Sequence, residues 1–302
     1  RGTYGPEDLA PLTGLAGLAA LAWDATGGAA WWEIDHPAPD AWYAEEQRTL
    51  PWRDETDPYL ILVSEIMLQQ TQASRVIPFY SGFVNRFPTI DSLASAVLQD
   101  VLDAWNGLGY NTRALRLRET ARIIQANGWP TTPEGLSDLP GIGPYTAAAV
   151  ASFAFGAEVP AVDTNLRRVL SRWHGEPLNG AALASAATTA LGQPAGEWNQ
   201  AMMDLGATVC LPKTPRCTTC PVKDWCAGPI AYTPPTAQAR FEGSARQLRG
   251  AIIRTLVRRP AKIDDIVQQT GFSPSEVEAA VDDLSNEGLV QRTTGKTYQI
   301  AE

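Results

Sequence analysis

Apolar residues recur along most of this chain at the spacing of amphipathic helices, and few segments show the alternation typical of strands. Glycine and proline interrupt the pattern, most clearly at residues 107–109, 128–130 and 139–141. Nine or ten short helices are predicted between residues 41 and 226, and the clearest of them cover residues 59–71, 74–87, 89–96, 98–105, 112–126, 144–155, 166–173 and 198–209. The pattern therefore predicts a mainly α-helical fold.

The C-terminal part of the chain shows a different order of elements. Residues 229–243 are rich in proline and glycine, which predicts a linker. After it we expect helices near 246–258, 263–269 and 274–287, and then a hairpin over 289–300 that turns at 294–296. This order predicts a winged-helix-like domain at residues 244–302. The N-terminal extension, residues 1–38, predicts one apolar helix near 8–23 and a glycine-rich loop, with no indication of its role.

Composition and charge limit the function classes. The chain has 302 residues, of which 44% are hydrophobic and 19% charged, and no stretch has the roughly 18 apolar residues that a membrane span needs. We therefore expect a cytoplasmic, nucleoid-associated monomer that contacts no membrane. The net charge of −9 argues mildly against a general nucleic-acid binder, but residues 1–50 alone contribute −6 of it.

All four cysteines lie within seventeen residues, in the pattern C-x6-C-x2-C-x5-C. Unrelated buried thiols would not cluster in this way, and disulfides would need an oxidising compartment for which no export signal is evident. Four thiolates suit a zinc ion or a [4Fe–4S] cluster. The spacing alone does not separate these two, but the single short Cys-x2-Cys pair favours the cluster. The predicted ligands are Cys210, Cys217, Cys220 and Cys226.

A nine-residue string, LPGIGPYTA at 139–147, connects two predicted helices. Gly141 and Gly143 permit a tight turn whose backbone N–H groups point outward, and Pro144 suits the first turn of the following helix. Such N–H groups at the start of a helix can bind a phosphate oxygen. The alternatives are a phosphate-binding hairpin and an ordinary turn between helices.

Two acidic residues, Glu65 and Asp163, interrupt otherwise apolar segments. On these segments alone either is equally well a surface or helix-capping acid, and Asp163 is placed to cap the helix that follows it. A pair of carboxyl groups is also what glycosidic bond cleavage requires. One protonates the leaving group, and the other stays ionised beside the positively charged sugar.

Several strings together carry a family resemblance: SEIMLQQTQ at 64–72, PWR at 51–53, GLGY at 107–110, the Asp163-x-Asn165 pair, and the cysteine segment that follows WNQAMMDLG at 198–206. In this order, over residues 41–228, they resemble the adenine DNA glycosylase (MutY) family of the HhH-GPD, iron–sulfur DNA glycosylase superfamily. The resemblance implies a two-lobed helix-hairpin-helix glycosylase core at 39–228, with a [4Fe–4S] loop at 210–226.

The resemblance also implies catalytic roles. Glu65 would protonate the adenine at N7, Asp163 would stabilise the oxocarbenium-like sugar, and Tyr145 and Asn165 would support that site by hydrogen bonding. Bifunctional relatives resembling endonuclease III have a lysine nucleophile at the hairpin position of Tyr145, whereas residues 51–212 contain no lysine. The implied enzyme is a monofunctional glycosylase. Its substrate would be double-stranded DNA in which a flipped adenine was paired with 8-oxoguanine or guanine.

The same resemblance assigns DNA contacts. Gln70 and Tyr110 match wedge positions that fill the space left by the flipped base, while Trp52, Arg53 and Leu68 would line the adenine pocket. The remaining predicted DNA- or base-binding residues are Gln69, Thr71, Gly141, Gly143 and Asp204. Lys213, Arg216 and Lys223 are predicted either to meet phosphates or to be solvated.

The chain departs from the family at several positions. Ala73, Asn111 and Asp204 keep open a sister activity, removal of thymine from T·G pairs. A winged-helix-like domain stands where typical relatives have a Nudix-like domain that inspects 8-oxoguanine. Its arginines would face phosphate or belong to a solvated or packed helix face; they are Arg246, Arg249, Arg254, Arg258 and Arg259. A third hypothesis is a non-catalytic DNA-binding regulator.

Overall fold

The structure is a computed structural model that describes residues 37–229, 240–293 and 295–302. The predicted N-terminal extension, most of the predicted linker and Thr294 of the predicted hairpin turn lie outside the described residues. The described residues divide into two compact units. The first unit contains residues 37–49 and 151–229, and the second contains residues 50–150 and 240–302.

Helices account for most of the described residues. They are α1 (Pro37–Glu46), α2 (Pro58–Leu68), α3 (Ala73–Arg86), α4 (Ile90–Ser95), α5 (Leu98–Ala104), α6 (Thr112–Asn127), α7 (Pro133–Ser137), α8 (Pro144–Phe155), α9 (Thr164–His174), α10 (Gly180–Thr189), α11 (Ala195–Thr208), α12 (Ala245–Arg258), α13 (Ile263–Thr270) and α14 (Pro274–Asn286). Two 3₁₀ turns, Cys217–Thr219 and Lys223–Trp225, lie in the cysteine segment. The prediction of a mainly α-helical fold is confirmed.

In the first unit, α9 and α11 pack together around a shared apolar core. Leu166 and Leu170 of α9 are buried against Trp198 and Met202 of α11. Apolar residues on one side of α9 and arginines on the other make this helix amphipathic, so its orientation in the unit is well determined. The packing of α9 matters for function because Asp163 stands at its first turn.

In the second unit, the C-terminal residues adopt the order predicted for a winged helix. Three short strands, β1 (Ala261–Lys262), β2 (Val290–Arg292) and β3 (Thr297–Ile300), form an antiparallel sheet in the order β1-β3-β2. With α12, α13 and α14 they make up what we call the C-terminal module, residues 244–302. The module packs on α5, where the side-chain amide of Gln99 donates a 2.7 Å hydrogen bond to the carbonyl of Val257, and it also contacts the start of α6.

The helix predictions hold well, with three differences. Ten α-helices begin between residues 41 and 226, as expected, but α7 and α10 were not singled out by the pattern. The helix predicted over 59–71 ends at Leu68, because Gln70 has a left-handed backbone with φ of +56°. Among the described helices, none has both the length and the apolar character that a membrane crossing requires.

Candidate active site

The carboxyl group of Asp163 lies at the start of α9 and caps that helix. Its Oδ1 accepts a 2.7 Å hydrogen bond from the backbone N–H of Leu166, and its Oδ2 accepts a 2.7 Å hydrogen bond from the side-chain amide of Asn165. Burial raises the pKa of Asp163, and the two hydrogen bonds act in the opposite direction because they favour the charged form. Asp163 can therefore serve both as a helix cap and as the predicted catalytic group, because the capping hydrogen bond fixes the position of its carboxylate.

Asn165 is held against Asp163 by a close crossing of α9 and α11. A Cβ atom built on Gly206 would lie 2.5 Å from the Cβ of Asn165, so only glycine fits at this crossing. The guanidinium of Arg168 donates 2.8 Å to the side-chain oxygen of Asn165 and 2.7 Å to the carbonyl of Gly206. The amide of Asn165 is therefore fixed with its oxygen on Arg168 and its NH₂ group on Asp163.

Two buried arginines connect α9 to the cysteine segment. The Nε of Arg168 donates 2.7 Å to the carbonyl of Cys210. One turn later, Arg172 donates 2.8 Å to the carbonyl of Leu211 and 3.2 Å to the sulfur of Cys210. One helix thus carries the Asp163 cap at its start and the contacts with the first cysteine along its length.

The four cysteines line a single cavity of about 250 Å³ in the first unit. This is several times the roughly 30 Å³ occupied by one water molecule, so the cavity has room for more than one atom. All four are free thiols, and among the described residues no Asp or Glu joins them in the lining. Within the described ranges, no group of three or more His, Cys, Asp or Glu side chains has the arrangement of a formed metal site. The donor set nevertheless fits an iron–sulfur cluster or zinc, which thiolates prefer.

Burial, and to a smaller extent the other three cysteines, raise the pKa of Cys220 to about 11, and burial also raises the pKa of Cys226. Thiolates in this cavity therefore need a compensating positive charge, which a bound metal group would supply.

Glu65 belongs to the second unit and lies in α2. The helix begins after Asp57, whose carboxylate accepts a 2.8 Å hydrogen bond from the backbone N–H of Tyr59. Glu65 is only 5% exposed and follows a run of buried residues that starts at Ile61. Its Oε2 atom is shielded from solvent. Removal of a carboxyl group from water disfavours its charged form, which is the environment that a proton donor needs.

The turn between α7 and α8, for which phosphate binding was one of two predictions, lies in the second unit. Gly141 has φ of +77°, Gly143 is exposed, and a methyl group built on Gly143 would meet no atom within 4 Å. This side of the turn is therefore open to a ligand. Tyr145 is half-buried in the first turn of α8, which begins directly after the hairpin.

Gln69 is directed toward this hairpin. Its amide donates 3.1 Å to the carbonyl of Gly141 and 3.2 Å to the hydroxyl of Thr146. The end of α2 and the hairpin are thus joined by one side chain. For Gln69, the contacts support a positioning role, and the predicted contact with DNA stays a prediction.

Both predicted wedge residues have the left-handed backbone that is rare for residues other than glycine. Gln70 has φ of +56° and is exposed, and Tyr110 has φ of +51° and is half-buried. Tyr110 lies near the end of what we call the wedge loop, residues 105–111, between α5 and α6. Strained backbone of this kind persists only where the surroundings hold it in place, and it is common at binding sites.

Arg113 is the residue that holds both wedge segments. It is 9% exposed, and its guanidinium donates to the carbonyls of Ile66, Met67 and Gln69, at 2.9, 2.9 and 2.6 Å. It also donates 3.1 Å to the carbonyl of Gly109 in the wedge loop. Its Cζ lies 5.3 Å from the ring centre of Tyr110. Burial lowers the pKa of Arg113 to about 10, which still leaves it charged at neutral pH.

The other predicted contact residues lie in several places. In the second unit, Trp52 packs edge-on against Tyr80 with ring centres 5.2 Å apart, Leu68 ends α2, and Arg53 is half-buried. Thr71 accepts a 3.3 Å hydrogen bond from Arg113.

Asp204 has a different environment from the one predicted. It is 0% exposed in the first unit, and its two carboxylate oxygens bind the backbone N–H and the guanidinium of Arg48 at 2.7–2.9 Å. The contact between Asp204 and the base stays a prediction, and this ion pair argues for a structural role instead.

Four arginines that organise the site were not predicted from the sequence: Arg48, Arg113, Arg168 and Arg172. A partial signal existed for two of them, because Arg168 and Arg172 are spaced by four residues in a helix. Within each unit the structure brings predicted residues together. The first unit holds Asp163, Asn165, Asp204 and the cysteines, and the second holds Glu65, the hairpin with Tyr145, and both wedge residues.

Comparison with known proteins identifies the family to which the chain belongs. Residues 63–189 match the family described as HhH-GPD superfamily base excision DNA repair protein. The chain is 40% identical over 278 residues to the adenine DNA glycosylase of Mycobacterium tuberculosis, covering 86% of this chain and 91% of that protein. It is 45% identical over 205 residues to the human adenine DNA glycosylase, covering 62% of this chain and 38% of that protein.

Among solved structures, the chain is similar to a thermostable thymine-DNA glycosylase, with a TM-score of 0.62 and 30% identity over 68% of this chain and 99% of that one. It also shares the fold of endonuclease III trapped covalently on DNA, with a TM-score of 0.53 and 23% identity over 62% of this chain and 90% of that one.

The mycobacterial match also concerns the C-terminal module. An alignment that covers 86% of 302 residues must extend past residue 228, where the predicted glycosylase core ends. The human match, which covers 62%, is short enough to lie within the core. Part of the region after residue 228 is therefore shared with the mycobacterial relative.

Proposed function

Because this chain belongs to the adenine DNA glycosylase family of HhH-GPD base excision repair proteins, we propose that it hydrolyses the N-glycosidic bond of adenine paired with 8-oxoguanine or guanine. The chain is an adenine-specific DNA glycosylase. Beyond this activity, we propose which base lies opposite the adenine, which roles individual residues have and which product forms. The observation that carries it is that both predicted acids are withdrawn from solvent, Glu65 being only 5% exposed in α2 and Asp163 being held by two hydrogen-bond donors at the start of α9.

Glu65 is assigned as the general acid. Adenine leaves poorly as an anion, so protonation at N7 is needed as the bond between the base and C1′ breaks. Glu65 is a buried carboxyl group with a shielded Oε2 atom, and we propose that it donates this proton. After the base has left, water adds to C1′ and releases a proton, so that free adenine and an abasic site are the products.

Asp163 is assigned as the group that stabilises the positively charged sugar. It must be ionised for this purpose, although burial favours its neutral form. The N–H of Leu166 and the amide of Asn165 stabilise its charged form at hydrogen-bond distance. Tyr145, in the first turn of α8, is proposed to support the same reaction by hydrogen bonding.

We propose that the enzyme is monofunctional. A strand-cleaving glycosylase of this superfamily needs an amine to form a Schiff base with C1′, and residues 51–212 contain no lysine. Product strands should therefore break only after alkali treatment.

Duplex DNA would be bound mainly through its backbone at the hairpin, where Gly143 is exposed. Extrusion of a base costs a few kcal/mol, and an aromatic or amide side chain that fills the gap offsets part of that cost. Tyr110 and Gln70 are proposed for this role. Their strained backbone, held by Arg113, supports a fixed position for both side chains.

We further propose that Cys210, Cys217, Cys220 and Cys226 bind a [4Fe–4S] cluster. Such a cluster would supply charge and order to the loop that contains Lys213, Arg216 and Lys223. Arg172, which donates to the sulfur of Cys210, would hold that ligand in position. Iron and sulfide analysis of protein purified without oxygen tests this. Cys217→Ser should lose bound iron, while Thr218→Ser in the same turn should keep it.

The function is tested by excision assays on four duplexes, containing A·8-oxoguanine, A·G, A·T and T·G. We expect adenine release from the first two, with strand breaks only after alkali. Glu65→Gln and Asp163→Asn should each lower the single-turnover rate by at least about a hundredfold, the usual scale for loss of a general acid or a charged stabiliser. Release of thymine alone would instead favour the sister activity suggested by the similarity to the thymine-DNA glycosylase.

The hypothesis of a non-catalytic regulator is separated from the enzyme by the same two variants. As a regulator, the protein would keep its DNA-dependent function with Glu65→Gln or Asp163→Asn.

Localisation and oligomeric state are further parts of the proposal. Because the substrate of the enzyme is DNA, we propose that it acts on nucleoid DNA in the cytoplasm. The proposed monomer is checked by light scattering of the protein with and without duplex.

A further inference from the structure

The C-terminal module is attached to both helices that flank the wedge loop. On α5, Gln99 donates to the carbonyl of Val257 at 2.7 Å. On α6, the hydroxyl of Thr112 donates to the carboxylate of Glu287 at 2.7 Å, and Leu115 lies next to Gly288. The wedge loop, residues 105–111, is the connection between these two helices. The module thus contacts α5 near its start, at Gln99, and α6 at its first residue, Thr112, directly after the loop.

Glu287 is the centre of the contact with α6. Its Oε2 accepts hydrogen bonds from Thr112 and from Arg249 of the module, at 2.7 and 2.6 Å. Thr112 is the first residue of α6 and follows Tyr110 by only two positions. A displacement of Thr112 would therefore be transmitted to the left-handed backbone of Tyr110.

The loop is also held from within the core. The indole N–H of the fully buried Trp105 donates 3.0 Å to the carbonyl of Gly109, and Arg113 donates to the same carbonyl. Internal contacts thus fix the middle of the loop, whereas the module fixes the start of the helix that follows it.

The charge of the module argues against direct recognition of DNA by its winged helix. In DNA-binding winged helices, the helix at the position of α14 enters the major groove. Here α14 contains no lysine or arginine, and its exposed charged residues are acidic: Glu276, Glu278, Asp282 and Asp283. Phosphates would repel this face. Of the arginines predicted to face phosphate, Arg249 is engaged by Glu287 within the second unit.

From these contacts we infer that the C-terminal module is a brace that holds the wedge loop in position for recognition of the base opposite the adenine, with Glu287 and Thr112 as positioning residues. The catalytic part of this inference, recognition of the base opposite the adenine, rests on the proposed function. The structural part, that Glu287 limits motion of residues 105–112, holds whether or not the chain excises adenine.

Hydrogen exchange of the full chain tests the structural part without DNA. Glu287→Ala should speed amide exchange in residues 105–112 by about three- to tenfold, because local opening no longer breaks the contact with Thr112. Thr112→Val, which removes the hydroxyl at constant shape, should have the same effect, and Thr112→Ser should restore slow exchange. Unchanged exchange in Glu287→Ala would overturn the inference.

A matched control is Glu276→Ala. Glu276 lies in the first turn of α14, the helix that Glu287 follows. It accepts hydrogen bonds from Ser273, at 3.0 Å from its N–H and 2.6 Å from its hydroxyl, at the end away from Thr112. This variant weakens α14 but leaves the brace, so exchange in residues 105–112 should match that of the unmodified protein. An equal acceleration in both variants would mean that general loosening of the module is responsible, and would also overturn the inference.

Single-turnover assays test the catalytic part. Glu287→Ala should reduce the ratio of excision rates between A·8-oxoguanine and A·G duplexes by about threefold or more, while Glu276→Ala keeps that ratio. Faster exchange together with an unchanged ratio would refute the role in recognition. If the unmodified protein releases no adenine, the proposed function fails, and the exchange result still decides whether the brace exists.

Discussion

Asp163 has to be ionised during the reaction although burial favours its protonated form. Because its pKa is raised, protonation begins at a higher pH than for an ordinary aspartate. The ionised group stabilises the sugar cation, so the rate is full above this pKa and falls as the pH decreases through it. We expect the acidic limb of the single-turnover profile above the usual aspartate range.

Asn165→Ala tests the cause of this behaviour. The variant removes a 2.7 Å hydrogen bond that favours the charged form of Asp163, so the pKa should rise and the acidic limb should move to higher pH. A hydrogen bond to a charged group contributes roughly 1.5–3 kcal/mol, which corresponds to a rate loss of about ten- to a hundredfold. Asn85→Ala, at an exposed position of α3, is the control and should keep the original profile. An unshifted limb in Asn165→Ala would refute the assignment.

Arg113 binds carbonyl groups from two segments at once, the end of α2 and the wedge loop. Arg113→Lys keeps the charge but loses the planar fork, so several of these carbonyls lose their partner. We expect a loss of at least about 3 kcal/mol in the free energy of unfolding, measured by urea denaturation. Arg258→Lys, at an exposed position, should change it by less than about 0.5 kcal/mol. Equal stability of the two variants would contradict the role of Arg113.

At the scale of residues, sequence analysis identified the acids but not the arginines. Glu65 and Asp163 were detectable because a carboxyl group in an apolar segment is unusual. Arginine in a helix is ordinary, and nothing local shows that Arg113 is buried. Its burial depends on carbonyls of Ile66 and Met67, which are more than forty residues away in the chain.

The elements themselves were predictable where their ends carry local signals. Helix α14 begins after Ser273 with a proline in its first turn and a capping box to Glu276, as its sequence indicates. The end of α2 was not predictable. Near its end, the carbonyls of Ile66 and Met67 are taken by Arg113, and the chain leaves the helix at Leu68 without a glycine signal.

The close crossing of α9 and α11 at Gly206 can be tested by substitution. Gly206→Ala places a methyl group 2.5 Å from the Cβ of Asn165, so the helices must separate. We expect a loss of about 1–3 kcal/mol in the free energy of unfolding, together with slower excision because Asn165 moves relative to Asp163. The control is Gly82→Ala in α3, where nothing lies within 4 Å and the helix should gain up to about 1 kcal/mol. An equally stable, fully active Gly206→Ala protein would contradict the close crossing.

At the scale of the whole molecule, charge is distributed unevenly along the chain. Residues 1–36 carry five acids and one base, a net of −4 out of the total of −9. Removal of these residues should therefore strengthen binding to undamaged duplex by about two- to fivefold at low salt, with little difference above about 0.5 M salt. Fluorescence anisotropy at several salt concentrations measures this. A difference that persists at high salt would point to a cause other than charge.

The placement of the C-terminal module could not be predicted from sequence. The linker composition suggested an independent domain, but the module groups with residues 50–150. The contacts that decide this, such as Thr112 with Glu287, join positions 175 residues apart. Local patterns describe the module itself, whereas its partner surface on α5 and α6 depends on long-range packing.

The left-handed backbone at Gln70 and Tyr110 has a consequence for protein engineering. A redesign that optimises thermal stability alone would replace both residues with glycine or asparagine, because these tolerate a positive φ at lower cost. The redesigned protein would be more stable, but it would lack the two side chains proposed to enter the base stack. Stability screens of this enzyme should therefore keep positions 70 and 110 fixed, or score each candidate for repair as well as for melting temperature.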